Sequence, residues 1–152
     1  MRRLNSAIFA FVKEVIGEPD YAITLTLKPI DGSRRDTTKQ IDAEKAFDWF
    51  LHLMNTRCFG RGYRKKGYEL GVFAALEGMG QHQQPHWHVA VRLPSLLSHE
   101  RFLTAFELAR SKTRRFGRAF DIQPFYEGGW IEYCHKTGVN SFCPQFLRAG
   151  TP

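Results

Sequence analysis

The apolar positions follow two different periods along the chain. In residues 21–28 every second residue is apolar, and this period of two predicts a strand with two unlike faces. Pro29 ends that strand. Residues 42–57 instead carry apolar side chains at helical spacing, and Asp42 is a suitable helix N-cap. The chain therefore mixes strands and helices.

The remaining segments extend the pattern. They predict helices at residues 5–16, 98–114 and 130–137, and strands at residues 68–77, 86–93 and 118–126. The apolar side of the 98–114 helix is predicted to be Phe102, Leu103, Phe106 and Leu108. Pro124 favours an edge position for the last strand. This order predicts an α+β fold of the ferredoxin-like split β-α-β type, whose antiparallel sheet carries helices on one face and a site on the other.

Length and composition limit the class of protein. A chain of 152 residues predicts a single domain over residues 1–152, with a core at about 21–138, an N-terminal helix and a short C-terminal tail. The 43% hydrophobic content argues against disorder. No apolar stretch approaches the roughly 20 residues of a membrane span and no signal peptide is recognisable, so we expect a cytoplasmic protein without a membrane partner. Cys58, Cys134 and Cys143 form no Cys-x-x-Cys pair, which favours reduced thiols over disulfides or structural zinc.

The formal net charge of +7 changes this picture, because it suggests a polyanionic partner. Basic residues cluster at 57–66 and again at 110–118. Lys and Arg side chains on phosphates release condensed counterions, so nucleic acid is the simplest such partner. The residues expected to contact DNA are Arg61, Arg64, Lys65, Lys66, Arg114 and Arg115. A solvated basic face is the alternative interpretation.

The sequence His86-Trp87-His88 is the sharpest chemical feature. Residues i and i+2 of a strand point to the same face, so the two imidazoles project together. If residues 68–77 and 86–93 pair as a hairpin, Glu77 lies opposite His86. Two imidazoles and a carboxylate suit Mn²⁺ or Mg²⁺ with open positions, although the same set could hold iron or zinc. The alternative is a chance histidine pair on a solvated strand.

Tyr133 and Lys136 form a second candidate pair. They are spaced i, i+3 on the predicted last helix, so the hydroxyl and the ammonium can converge. A phenol has a pKa near 10 and is a poor nucleophile, but a neighbouring cation and a metal-polarised phosphate make its attack feasible. A half-buried tyrosine that simply packs its ring is the alternative.

Taken in order, three segments resemble the motifs of the HUH single-strand DNA endonucleases, in the branch of the rolling-circle replication initiators. The segments are Ile23–Leu27, Pro85–Val91 with its histidine-hydrophobic-histidine pattern, and Tyr133–Lys136. The tyrosine follows the histidines, as it does in replication initiators and not in the relaxases of the same superfamily. The resemblance spans roughly residues 21–138.

The resemblance implies an endonuclease and strand transferase that nicks and rejoins single-stranded DNA, initiating rolling-circle replication of a plasmid, phage or other mobile element. Glu77, His86 and His88 would then bind the Mn²⁺ or Mg²⁺ cofactor. Tyr133 would attack phosphorus to give a 5′-phosphotyrosine link, and Lys136 would neutralise charge near the phosphate. The expected partner is single-stranded DNA or an origin hairpin.

Other functions fit the sequence less well. Gly62–Gly67 has the glycine spacing of a P-loop, but Tyr68 stands at the lysine position, so no nucleotide cofactor is expected and a host helicase or replication protein would separate strands. Arg92 and Leu93 occupy the positions where a cupin-like oxygenase needs glutamate. The main rival is a non-catalytic, basic ferredoxin-like nucleic-acid-binding module, which would stack bases on Tyr63, Tyr68, Trp87 or Trp130.

Overall fold

The computed structural model describes residues 2–28, 40–79, 84–126 and 141–152. Four helices and four strands lie in these ranges, and they are followed by a short 3₁₀ turn at Pro144–Phe146. In chain order they are α1 (Arg2–Ile16), β1 (Tyr21–Leu27), α2 (Gln40–Phe59), α3 (Tyr63–Lys66), β2 (Gly71–Glu77), β3 (His86–Arg92), α4 (His99–Lys112) and β4 (Phe116–Pro124).

The four strands form one antiparallel sheet in the order β2-β3-β1-β4. β1 and β2 are separated by β3, and β3 and β4 are separated by β1, so each of α2 and α4 connects two strands that are not neighbours. This is the split β-α-β topology, and the predicted α+β fold class is confirmed. β4 lies at an edge of the sheet, as Pro124 indicated.

One face of the sheet packs against α2 and α4. Alternate residues of β1, from Tyr21 to Leu27, are buried on this side. Trp87 of β3 is fully buried there, and its ring stacks on Phe47 of α2 at 4.4 Å between centroids. Phe146 meets the same indole edge-on at 5.5 Å. This aromatic group joins the sheet, α2 and the C-terminal segment in one core.

The predicted buried side of α4 was partly wrong. Phe102 and Phe106 are buried as expected, but Leu103 and Leu108 are 39% and 38% exposed. Ala105 and Ala109 take their places in the core. Because α4 packs closely against α2, small side chains fit the contact and the leucines turn outward.

The opposite face of the sheet is partly covered, which the sequence did not predict. Val12 and Ile16 of α1 are buried against Phe73, Ala75 and Ala90 on this side. The predicted short C-terminal tail also packs on the sheet: backbone bridges join Val72 to Arg148 and Ala75 to Phe142 along the outer edge of β2. Covering that edge removes a surface on which another strand could pair.

The ends of several elements differ from the predicted ones. α2 begins at Gln40, so Asp42 lies in its first turn, and the predicted basic turn contains the short helix α3. β2 begins at Gly71 because the preceding backbone is bonded elsewhere: Leu70 N–H donates to the buried Asn55 Oδ1 at 3.0 Å, and Glu69 N–H donates to Thr151 Oγ1 at 2.9 Å. Cys58 and Cys143 are buried thiols, as expected, and Cys134 lies outside the described residues.

None of the helices in the described ranges has both the length and the apolar character needed to cross a membrane.

Trp87 and Trp49 allow a matched test of the core. Trp87→Ala should lower the free energy of unfolding by about 3–5 kcal/mol, because it removes a fully buried ring from the contact with Phe47. Trp49 is 50% exposed, so Trp49→Ala should cost no more than about 0.5 kcal/mol. Denaturant titration of the two variants measures both values. Equal losses would contradict this description of the core.

Candidate metal centre

The pairing of β2 with β3 positions the site. In this register Glu77 lies opposite His86, and Ala75 lies opposite His88. The neighbours of the two histidines on β3, Trp87 and Val89, are buried towards α2 and α4. The histidines therefore project from the other face, together with Glu77 at the end of β2.

The three side chains converge on one point. Glu77 Oε2 is 3.4 Å from His86 Nε2 and also 3.4 Å from His88 Nε2. One ligand atom from each of the three residues lies within 4.8 Å of the others. Ligand atoms about 2.1 Å from a shared ion are separated by about 3.0–3.4 Å in octahedral or tetrahedral geometry. The cluster of Glu77, His86 and His88 can therefore hold a divalent metal ion.

Hydrogen bonds on the far side of each ring orient the histidines. His86 Nδ1 donates to the Gln84 carbonyl oxygen at 2.9 Å, since a carbonyl only accepts. His88 Nδ1 lies 3.1 Å from Thr24 Oγ1, a hydroxyl that can accept its proton. With both protons on Nδ1, the Nε2 lone pairs face Glu77. An oxygen partner on the far nitrogen is the usual support for a metal-binding histidine.

The two imidazoles have different electrostatic environments. The hydrogen bond with the Glu77 carboxylate raises the pKa of His86 above its ordinary value. Burial lowers the pKa of His88, because desolvation disfavours the imidazolium. The His86 side chain is 25% exposed and that of His88 is 10% exposed, which agrees with these opposite directions. Protons therefore compete with a metal chiefly at His86.

Gly78 lets the chain close around the site. It follows β2 with a φ of +73°, and a Cβ there would run into the Gln84 carbonyl oxygen. That is the carbonyl which accepts the His86 proton. The Gln84 side chain is exposed, and its amide donates to the Leu27 carbonyl oxygen at 2.9 Å.

The structure describes the predicted metal ligands but not the predicted nucleophile and its lysine. The structure brings Glu77, His86 and His88 together. Tyr133, Lys136 and the whole predicted helix at 130–137 lie outside the described residues.

The two predicted DNA-binding groups are far apart. Arg114 and Arg115 precede β4 at the histidine end of the sheet, where Lys28 N–H donates to the Arg115 carbonyl oxygen at 2.7 Å. Arg61, Arg64, Lys65 and Lys66 lie before β2, at the opposite end from Glu77.

Sequence reasoning missed one residue of the site, Thr24. The period of two places Thr24 on the polar face of β1 but does not indicate which strand lies beside β1 in the sheet. The β1–β3 register puts Thr24 directly opposite His88. The only local indication of its role is a hydroxyl at an alternate position of a strand, and many threonines on strands share that feature.

No protein-family model, no curated protein and no solved structure matches this chain.

Metal affinity should rise with pH. Glu77 raises the pKa of His86, so a proton occupies the Nε2 ligand position until the pH exceeds the ordinary histidine value, whereas burial lowers the pKa of His88 and favours its neutral ring. Below the pKa of His86, the dissociation constant for Co²⁺ should increase about tenfold per pH unit. Titration of the Co²⁺ absorption band between about pH 8 and pH 6 measures this dependence. An affinity that does not change over this range would contradict the assignment of His86 as a ligand.

Thr24 should support metal binding through its hydroxyl. Thr24→Val keeps the shape of the side chain but removes the oxygen that faces His88 Nδ1, so the metal affinity should fall roughly 10- to 100-fold. Thr24→Ser keeps the hydroxyl and should retain most of the affinity. Calorimetric titration with Mn²⁺ or Zn²⁺ compares the two variants. Equal affinities would show that the contact has no role in binding.

Proposed function

We propose that this protein nicks and rejoins single-stranded DNA in a metal-dependent reaction, through a covalent bond between Tyr133 and the DNA 5′-phosphate. The observation that carries the proposal is the convergence of Glu77, His86 and His88 on the sheet face opposite α2 and α4. The motif order of the sequence, with Tyr133 after the histidines, supports it.

Each residue of the cluster has a defined part. The Nε2 atoms of His86 and His88 and the Glu77 carboxylate would hold the ion, and they leave coordination positions for phosphate oxygens. A bound divalent ion supplies Lewis-acid polarisation of the scissile phosphate. Mn²⁺ suits this set better than Mg²⁺, because two of the three donors are imidazoles and Mg²⁺ prefers oxygen.

Tyr133 would carry out the covalent step. Its phenolic oxygen forms a bond to phosphorus as the bond from phosphorus to O3′ breaks, the phenol proton passes to solvent, and the departing 3′-oxygen is protonated. The ammonium of Lys136 would favour the phenolate and offset the charge of the phosphate. The reverse attack by the 3′-hydroxyl restores the phosphodiester and releases Tyr133, so joining needs no ATP.

The path of the chain is consistent with this role. Phe142 bridges to Ala75, and Ala75 pairs with His88. Tyr133 precedes Phe142 by nine residues, which can span up to about 30 Å, so chain length allows Tyr133 to reach the cluster. Arg114 and Arg115 precede β4 at the same end of the sheet and could contact DNA there.

A labelled oligonucleotide library tests the proposal. Single-stranded oligonucleotides of random sequence are incubated with the protein and Mn²⁺, and products are separated on a denaturing gel. A 3′-label should appear on the protein, whereas a 5′-label should appear only on a shorter free fragment, because the 5′-phosphate becomes attached to the protein. Tyr133→Phe should abolish the labelled protein, and Glu77→Gln should lower it by at least tenfold.

Tyr126→Phe is the matched control, because Tyr126 is an exposed tyrosine seven residues before Tyr133. It should leave the adduct unchanged. An undiminished adduct in Tyr133→Phe would overturn the assignment of the nucleophile. Binding of the library without any adduct would favour the non-catalytic nucleic-acid-binding module.

A further inference from the structure

A second chemically distinctive surface lies at the far end of the molecule, in and around α3. It consists of the basic side chains of the α3 turn and the indole of Trp49, and we refer to it as the α3 patch. Its basic members are Arg61, Arg64, Lys65 and Lys66, all of which are exposed. The segment from Gly60 to Tyr68 contains no acidic residue. A compact group of like charges is therefore displayed to solvent.

The α3 patch is anchored to the core. Gly60 and Gly67 bracket the turn with φ values of +89° and +69°. Between them Tyr63 is buried, at 5% exposure, in the same cluster as α2 and α4. Arg64 Nε donates to the Tyr63 hydroxyl at 3.0 Å, and His52 Nδ1 lies 3.1 Å from the same oxygen. The charges therefore sit on a fixed support, which favours binding over a freely solvated loop.

An exposed aromatic ring is linked to α3 through two ring contacts. Trp49 is 50% exposed, and its ring lies 5.5 Å from that of His52, which in turn lies 5.8 Å from Tyr63. A tryptophan beside lysines and arginines can stack a base while the cations contact phosphates. An acidic protein segment could pair with the basic side chains, but it has no nucleobase to stack on the Trp49 indole.

The α3 patch is separate from the metal centre. β2 begins just after α3 and ends at Glu77, and its seven residues span about 20 Å. Tyr63 packs in the helix layer, whereas His86 and His88 project from the other face of the sheet. The α3 patch and the metal cluster therefore lie on different sides of the sheet and share no residue.

We propose that the α3 patch is a binding site for single-stranded nucleic acid that works without the metal centre, with Trp49 stacking a base and the four cations holding the backbone. This inference does not depend on the nicking reaction. Within that reaction, the patch would hold a flank of the strand away from the metal cluster.

Binding of fluorescein-labelled dT20 in EDTA tests this site by anisotropy at several salt concentrations. Simultaneous replacement of Arg64, Lys65 and Lys66 by Glu should weaken binding at least tenfold. It should also reduce the slope of log binding constant against log salt concentration by about 2, because each phosphate contact with a single strand contributes about 0.7 to that slope. Lys13→Glu is the matched control for the single variant Lys65→Glu, because Lys13 lies on α1, outside both basic clusters, and gives the same change in net charge. A smaller change in slope for the control supports the site; equal changes overturn it.

Trp49→Ala should weaken binding of dT20 roughly 5- to 150-fold and leave binding of polyglutamate unchanged, because polyglutamate has charges but no bases. Trp49→Phe should recover part of the loss. An unchanged affinity of Trp49→Ala for dT20, or equal affinity of the wild type for phosphatidylserine vesicles, would overturn the proposal. Glu77→Gln should bind dT20 as the wild type does, so loss of nicking and loss of this site are told apart.

Discussion

The candidate metal site depends on the burial of Trp87, which lies between His86 and His88 in the sequence. The indole is fully buried against Phe47, which commits the odd-numbered positions of β3 to the helix layer. Because side chains alternate along a strand, His86 and His88 must then project from the opposite face. A register slip of one residue would bury the imidazoles and expose the indole, so the aromatic core also fixes the face from which the candidate metal ligands project.

The same sheet gives the two histidines unlike surroundings. His86 lies at the end of β3, where it is more exposed and its proton is stabilised by Glu77. His88 lies further inside, between Thr24 on β1 and Glu77 on β2, where burial favours the neutral ring. A metal bound to this pair would therefore compete with a proton more strongly at His86 than at His88.

The fold also separates the positive charge into two regions. The residues before β4 lie at the histidine end of the sheet, whereas the α3 patch lies beyond the start of β2. The sequence suggested a general affinity for polyanions from a net charge of +7. In the structure, the two basic clusters of the sequence lie at opposite ends of the sheet.

The sequence by itself determined the four strands and the longer helices of the described residues, and also the nearest neighbours of the site. Alternating and helical spacing are local, and the short connection from Glu77 to His86 makes a hairpin the natural pairing, so Glu77, His86 and His88 could be grouped in advance. Thr24 could not, because it lies 64 residues from His88 and meets it only through the β1–β3 register. The cover of α1 over the second sheet face, the C-terminal segment along β2 and the outward turn of Leu103 and Leu108 were likewise decided by tertiary packing. These features depend on which distant surfaces fit together, and local periodicity carries no information about that fit.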